Sequence, residues 1–287
     1  MKSLVYVNGD LVAADAAVVP VLDRGYLYGE GLFETMRAYT GRIFALERHL
    51  RRLLSSAREL GLEVGVGEDD LARALELTLE GNELSDAYLR LTVSQRCDAP
   101  GIESRSAGRF TVSVIARPLA PQREGQSSGV RAAVLGMGSA PPASLARHKT
   151  LSFLAYVRAR AAARAAEAEE GLLVNAAGEI TEASTANVFF VIDGRLVTPP
   201  IECGLLPGVT RAIVLALAAS LGIEAAEEPL EPTRLRACSE CFLTNSIVEL
   251  APVTRINREP VGAGIPGPVW SALAAAYSRA TTSASGF

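Results

Sequence analysis

Lysine is nearly absent from this sequence. Of its 28 basic residues, only Lys2 and Lys149 are lysine, and all the others are arginine. Arginine keeps its proton at neutral pH, whereas lysine can lose a proton and attack a carbonyl carbon to form a Schiff base. Lys149, in the middle of the chain, is therefore a candidate nucleophile. The alternative is a lysine that survives there by chance.

Long apolar runs and a strong charge of either sign are missing as well. No stretch reaches the ~18 apolar residues of a membrane span, and the opening residues do not follow the pattern of a secretory signal. The net charge is −4 with both signs interspersed, so no basic stripe is available for a nucleic acid. We expect a cytoplasmic protein with small-molecule partners, and neither nucleic acid nor membrane among them.

Cysteine and histidine are too scarce for a zinc site. The chain has 4 cysteines and 2 histidines, and among the cysteines only Cys238 and Cys241 lie close together. One such pair without a second falls short of a zinc ligand set. We therefore expect no metal, and we interpret both cysteines as small buried residues near a strand.

Alternating strand and helix patterns predict two mixed α/β domains. They are separated by the stretch PLAPQREGQSSG at residues 118–129, which is polar, contains proline and glycine, and has no periodicity. The prediction is an N-terminal α/β domain over 1–118, a linker over 119–129 and a C-terminal domain over 130–287. Hydrophobic residues make up 49% of the chain, which is enough for a substantial buried core.

Hydrophobic periodicity predicts the elements nearest to the candidate residues. A strand is predicted over 32–39, after a glycine-rich loop, and apolar residues at three- and four-residue steps predict helices over 45–60 and 69–79. An alanine-rich stretch without breakers predicts a helix over 150–169, directly after Lys149.

Four further features can be combined with Lys149. The segment 207–211 opens a predicted helix, whose first amides suit a phosphate, and 244–246 offers hydroxyls and turn amides to an anion. Glu182 is a carboxylate among small polar residues, and Arg52 lies beside core leucines. The ordinary alternatives are helix capping, a plain turn, a solvated carboxylate and a solvated guanidinium. Together, a Schiff-base lysine, phosphate-binding turns and a carboxylate for a ring nitrogen meet the requirements of pyridoxal 5′-phosphate.

The sequence resembles the class IV (fold-type IV) pyridoxal-phosphate enzymes over nearly its whole length. This family comprises branched-chain aminotransferases, D-amino-acid aminotransferases and aminodeoxychorismate lyases. The stretches that carry the resemblance are DRGYLYGEGLFETMRAY, ERHLRRL, HKTLSFLA, GEITEASTANVFFV, GLLPGVTR and FLTNSIVELAPV. The resemblance implies an α/β (α+β) fold with a smaller N-terminal α/β domain and a larger C-terminal cofactor-binding domain that has a β-barrel-like core. It also implies a homodimer, in which a loop of the neighbouring subunit completes the active site.

The resemblance also implies roles for individual residues. Lys149 corresponds to the Schiff-base lysine, and Glu182 corresponds to the carboxylate that faces the pyridine nitrogen. The positions implied for the cofactor phosphate are Arg52, Val209, Thr210, Ser246 and Ile247. Phe33 and Arg90 are the candidates for contact with the substrate, Arg90 with its carboxylate. Support of the sheet is the alternative role for Arg90.

The choice of substrate stays open at this point. Tyr88-Leu89-Arg90-Leu91 keeps half of the branched-chain pattern Tyr-x-Arg-Pro, while the Pro-Arg-x-His clamp of D-amino-acid enzymes is absent. Three hypotheses follow. The first is an aminotransferase that moves an amino group from a D-amino acid or a branched-chain type amino acid to a 2-oxo acid. The second is an aminodeoxychorismate lyase that forms 4-aminobenzoate and pyruvate, and the third is a binding protein that has lost the chemistry.

Overall fold

The structure, a computed structural model, describes residues 3–62, 64–103, 110–119 and 129–282. These residues form two compact units. The first contains the residues up to 119 together with His148–Phe153, and the second contains 129–147 and 154–282. Within the predicted linker 119–129, residues 120–128 lie outside the described ranges. The predicted domain boundaries stay a prediction.

A six-stranded antiparallel sheet forms the first unit, in the spatial order β2-β1-β6-β5-β3-β4. The strands are β1 (Leu4–Val7), β2 (Asp10–Ala13), β3 (Gly31–Tyr39), β4 (Arg42–Ile43), β5 (Ala87–Gln95) and β6 (Phe110–Pro118). The helices are α1 (Arg24–Tyr28), α2 (Leu46–Glu59) and α3 (Glu68–Gly81). The strand predicted over 32–39 and the helices predicted over 45–60 and 69–79 are confirmed with nearly the predicted bounds.

One face of this sheet packs against α2 and α3. Successive side chains of a strand point to opposite faces, so Leu32, Met36 and Ala38 of β3 share one face, and all three are buried in the core with the two helices. Glu34 belongs to the same row and is therefore a carboxylate in a hydrophobic layer. Phe33 points to the opposite face of the sheet.

The second unit is built on a nine-stranded mixed sheet that curls into a half-barrel. The spatial order is β12-β11-β10-β13-β14-β7-β8-β9, with β15 beside β14. The strands are β7 (Val130–Met137), β8 (Glu170–Val174), β9 (Ile180–Ala183), β10 (Asn187–Ile192), β11 (Arg195–Thr198), β12 (Ala225–Glu227), β13 (Cys238–Asn245), β14 (Glu249–Ile256) and β15 (Glu259–Pro260). The helices are α4 (Ala143–Ala146), α5 (Leu154–Ala165), α6 (Val209–Ser220) and α7 (Pro268–Thr282). The predicted α/β fold class is confirmed.

The helix predicted over 150–169 is wrong at both ends. Helix α5 covers only Leu154–Ala165, because the residues before it bond to the edge of β3. Thr150 forms a β-bridge with Leu32, and the Leu151 amide donates to the Gly31 carbonyl at 2.9 Å. His148–Phe153 therefore packs with the first unit, although the sequence boundaries assign it to the C-terminal domain.

Two smaller expectations can be compared with the described residues. Among them, no helix has the length and apolar character that a membrane crossing requires. Cys238 and Cys241 lie in β13 as buried free thiols, as predicted. Burial raises the pKa of Cys238 to about 12, so its thiol is unreactive at neutral pH.

Candidate active site

The backbone of β3 fixes the position of Lys149. The amide of Phe33 donates to the Lys149 carbonyl at 2.9 Å, and the next rungs of the same antiparallel pairing follow at Thr150 and Leu151. On the other side, the ring of His148 bonds the Ser56 hydroxyl at 3.0 Å through Nδ1. Strand pairing thus holds the backbone of the candidate nucleophile in place.

The ring of Phe33 contacts two cations. The Nζ atom of Lys149 lies 4.4 Å from the centre of the ring, and the Cζ atom of Arg90 lies 3.8 Å from it. Phe153 packs edge-on against the same ring, with 5.4 Å between centroids. The negative face of an aromatic ring attracts cations, so the Phe33 ring stabilises both side chains at these positions. The structure therefore brings Lys149 together with both residues predicted for the substrate.

Arg52 is held by a carboxylate that the sequence analysis did not select. Its Nε donates to Oε1 of Glu34 at 2.8 Å, and its Nη2 donates to Oε2 at 2.6 Å. His49, on the same helix, approaches Oε2 through Nδ1 at 2.8 Å. The side chains of Glu34, His49 and Arg52 are only 1%, 2% and 12% exposed.

The charges within this cluster are fixed at neutral pH. Burial of Glu34 acts to raise its pKa, but Arg52 and His49 outweigh that effect and lower the pKa to about 2. Burial lowers the pKa of His49, and the charges of Arg52 and Lys149 lower it further against the raising effect of Glu34. A carboxylate can only accept, so neutral His49 carries its proton on Nδ1. The cluster is one carboxylate, one guanidinium and one neutral imidazole.

Glu182, in the second unit, is held by three donors. The Tyr156 hydroxyl donates to Oε1 at 3.1 Å, and the Leu206 amide and the Asn187 side-chain amide donate to Oε2 at 3.2 and 3.4 Å. Glu182 is 4% exposed. Burial and the neighbouring Glu182 charge raise the pKa of Tyr156, so the phenol stays neutral and remains a donor. These bonds fix the carboxylate in one orientation.

Asn187 connects Glu182 to the beginning of α6. Its Nδ2 also donates to the Leu206 carbonyl at 2.9 Å, and a Cβ placed on Gly208 would lie 1.9 Å from its Oδ1. Only glycine fits there. Gly208 is the N-cap of α6, and no side chain caps that helix end. The first residues, Val209 and Thr210, are buried, so their amides need a partner of another kind.

The turn between β13 and β14 is organised by Asn245. Its Oδ1 accepts from the amides of Ile247 and Val248, both at 2.8 Å, and its Nδ2 donates to the Thr185 carbonyl at 3.0 Å. The amide of Ile247, a residue predicted to contact the phosphate, donates within the turn. Just before it, Thr244 pairs with Asn187 in the β10–β13 register. The Thr244 hydroxyl is buried without a hydrogen-bond partner among the described residues.

The predicted residues fall into two groups. The first unit contains Phe33, Arg52, Arg90 and Lys149. The second unit contains Glu182, Val209, Thr210, Ser246 and Ile247. In the second unit, Asn187 brings Glu182, the beginning of α6 and the β13–β14 turn to one place.

These groups fit pyridoxal phosphate by their own chemistry. In the second unit, an uncapped helix N-terminus and a buried hydroxyl with no partner among the described residues suit a phosphate. In the first unit, the guanidinium of Arg52 is also a group that suits a phosphate. A buried carboxylate suits a protonated ring nitrogen. A lysine on a fixed backbone suits the aldehyde.

Four residues of these groups were missed, namely Glu34, His49, Tyr156 and Asn187. A signal was available for the first two. Glu34 interrupts the apolar row of β3, and His49 and Arg52 are three residues apart on one helix face. A buried carboxylate requires partners of this kind. Tyr156 left no comparable signal, because it is 26 residues from Glu182. Asn187 is only five residues from Glu182 and belongs to the same run of small polar residues, but residue type alone did not mark it as the partner.

Comparison with known proteins covers most of the chain. Residues 31–256 match the family model described as amino-transferase class IV. A protein of Methanocaldococcus jannaschii, named provisionally as a branched-chain-amino-acid aminotransferase, is 36% identical over 254 residues, which is 88% of each chain. A D-alanine aminotransferase of Bacillus licheniformis is 31% identical over 91% of each chain. The crystal structure of the Escherichia coli branched-chain amino acid aminotransferase superposes with a TM-score of 0.93 at 28% identity, covering 98% of this chain and 95% of that one.

Proposed function

Because this chain belongs to the class IV aminotransferase family, we propose that it transfers the amino group of a branched-chain type amino acid to a 2-oxo acid. It is a pyridoxal-phosphate-dependent transaminase. The observation that carries the proposal is the shared contact of Lys149 and Arg90 with Phe33, at 4.4 and 3.8 Å from the ring centre. This contact supports the proposal, because a nucleophilic amine, a proposed carboxylate partner and an apolar wall would then be available to one small substrate.

The cofactor, when bound, supplies a ring that accepts the electron pair of the substrate's Cα–H bond. Lys149 would attach the cofactor and, once the substrate amine has displaced it, its Nζ would take the proton from the substrate Cα and deliver it to the cofactor carbon that keeps the amino group. Glu182 holds a proton at the ring nitrogen, because a nearby negative charge favours the protonated form. The proposed phosphate contacts are Arg52, Val209, Thr210, Ser246 and Ile247.

The surroundings of Lys149 favour an apolar side chain on the substrate. Phe33 is 3% exposed and packs against Phe153, so the wall beside the amine is aromatic. D-amino-acid enzymes typically have a tyrosine at the position of Phe33, and their Pro-Arg-x-His clamp is replaced here by Pro100-Gly101-Ile102-Glu103. Both differences support a branched-chain type substrate.

The half-reaction with single amino acids tests this function. We expect L-leucine or L-valine to convert the bound cofactor to its amine form, observed by absorbance, and a 2-oxo acid to reverse the change. Conversion by D-alanine alone would replace the proposal with a D-amino-acid transaminase. Release of pyruvate from aminodeoxychorismate, with no response to amino acids, would identify a lyase.

Replacement of Arg90 tests the assignment of the substrate carboxylate. A buried ion pair that loses one partner costs about 3–5 kcal/mol, so Arg90→Ala should lower kcat/KM for the amino acid by roughly a hundredfold or more. Reaction with a simple amine that has no carboxylate should change little.

Arg117→Ala is the matched control for Arg90. Arg117 lies on the neighbouring strand and stacks on Tyr88, with its Cζ 4.4 Å from the ring centre. Its loss should spare both reactions. Equal losses with the amino acid and the amine in Arg90→Ala would mean that Arg90 supports the sheet.

Two further expectations stay predictions. The homodimer is supported by a run of exposed apolar side chains in the first unit, including Val18 at 74%, Val21 at 68% and Tyr26 at 72% exposure. Such a patch is typical of an interaction surface. The cytoplasmic location expected from the sequence likewise stays a proposal.

A further inference from the structure

Glu34 is a buried charge outside the set of residues that the proposed reaction uses. It lies in the row of β3 that faces the hydrophobic core, between Leu32 and Met36. A carboxylate at such a position costs free energy unless it is paired and hydrogen-bonded. Apolar residues fill this row before and after it, so packing alone does not require a carboxylate here.

The bonds of Glu34 converge on one edge of a single guanidinium. Nε and Nη2 of Arg52 each donate to a different carboxylate oxygen, at 2.8 and 2.6 Å. This two-bond geometry fixes the plane of the guanidinium as well as its position. Because the group is planar, the edge formed by Nη1 then points away from Glu34. The carboxylate thereby determines the direction in which the Nη1 side of the guanidinium faces.

His49 fixes the carboxylate in turn. Its Nδ1–H donates to Oε2 at 2.8 Å, and its ring is 2% exposed. His49 and Arg52 are three residues apart on α2, so one helix face supplies both partners of Glu34. Since the imidazole is neutral, it adds a hydrogen bond without adding a second positive charge. The negative charge of Glu34 is therefore still matched by the single positive charge of Arg52.

Strand β3 therefore contacts two of the candidate residues, one from each of its faces. Phe33 contacts Lys149 on one face, and Glu34, the next residue, contacts Arg52 on the other. We propose that Glu34, supported by His49, is a positioning residue that orients the Arg52 guanidinium toward the cofactor phosphate. This inference rests on the proposed role of Arg52. It predicts an effect of Glu34 that depends on the phosphate group.

Cofactor affinity with and without the phosphate tests the inference. The apo forms of parent and Glu34→Gln are titrated with pyridoxal phosphate and with pyridoxal, which lacks the phosphate. We expect the Kd for pyridoxal phosphate to rise about tenfold or more, since a charge-assisted pair is lost. The Kd for pyridoxal should change little. Glu47→Gln is the matched control. Glu47 is an exposed glutamate on α2, the helix that carries His49 and Arg52, and the variant should bind both ligands like the parent.

The double variant identifies the route of the effect. Arg52→Ala should itself weaken pyridoxal phosphate selectively, and adding Glu34→Gln to it should weaken binding no further, because Glu34 acts only through Arg52. Proportional losses for both ligands in Glu34→Gln would overturn the inference in favour of a structural role. Parent-like affinity of Glu34→Gln for pyridoxal phosphate, together with a selective loss in Arg52→Ala, would also overturn the inference. That result would leave the proposed function intact.

One further result and one replacement variant complete the test. If Arg52→Ala binds pyridoxal phosphate like the parent, Arg52 does not contact the phosphate, and both its proposed role and this inference fail. If Glu34→Gln does not fold, Glu34→Asp keeps the charge but retracts the carboxylate from Arg52. That variant should show the same selective loss for pyridoxal phosphate, and parent-like binding of both ligands would contradict the inference.

Discussion

Lys149→Arg should abolish covalent attachment of the cofactor and lower turnover by roughly a thousandfold or more, since positioned proton transfer alone contributes about 10²–10⁴-fold. Arginine keeps a positive charge over Phe33, so the contact that now lies 4.4 Å from the ring centre can persist and the fold should be retained. What arginine cannot do is lose its proton and attack a carbonyl carbon. The measurement is borohydride reduction of the holoenzyme followed by peptide mapping.

The sequence offers a matched control for this variant in its other lysine. After borohydride reduction, Lys2→Arg should carry the label at Lys149, and its turnover should equal that of the parent. Lys149→Arg should carry no label. Label at Lys2 in the parent, or at neither lysine, would contradict the assignment. Normal thermal unfolding of Lys149→Arg is required, because only a folded variant separates lost chemistry from lost structure.

The position of Lys149 shows how far sequence reasoning reached. Scarcity of lysine and the surrounding motif were enough to select the residue, because both are properties of the sequence itself. Its local structure was not predictable from an alanine-rich pattern that indicates helix. Strand pairing of Thr150 and Leu151 with β3 overrides helix propensity, and such long-range pairing leaves little trace in local sequence.

The same contrast holds for the residues around the candidates. Arg52 and Glu182 could be selected from residue type and motif. Their fixed orientation depends on Glu34 in one case and on Tyr156 and Asn187 in the other, and those partners lie 18, 26 and 5 residues away. Sequence patterns predict which face of an element is buried, but not which polar groups meet after folding.

Glu182→Gln should lower turnover by roughly 10²–10³-fold, the loss expected when one preorganised electrostatic partner is removed from an active site. The structure gives a reason why the variant should fold. A glutamine can turn its carbonyl oxygen to the Leu206 amide and to Asn187, while its NH₂ group faces Tyr156, whose hydroxyl can accept as well as donate. The hydrogen bonds survive, and the negative charge is lost.

Turnover and cofactor binding should therefore separate in Glu182→Gln. Without the charge, the ring nitrogen holds its proton less well and removal of the Cα proton slows, so the primary deuterium isotope effect at Cα should rise. Cofactor affinity should fall much less, because the phosphate contacts and Lys149 are unchanged. Glu179→Gln, a partly buried glutamate shortly before β9, is the control and should keep parental turnover. Parental turnover in Glu182→Gln would refute its role, and an equal fall in affinity and turnover would mean that Glu182 binds the cofactor without tuning it.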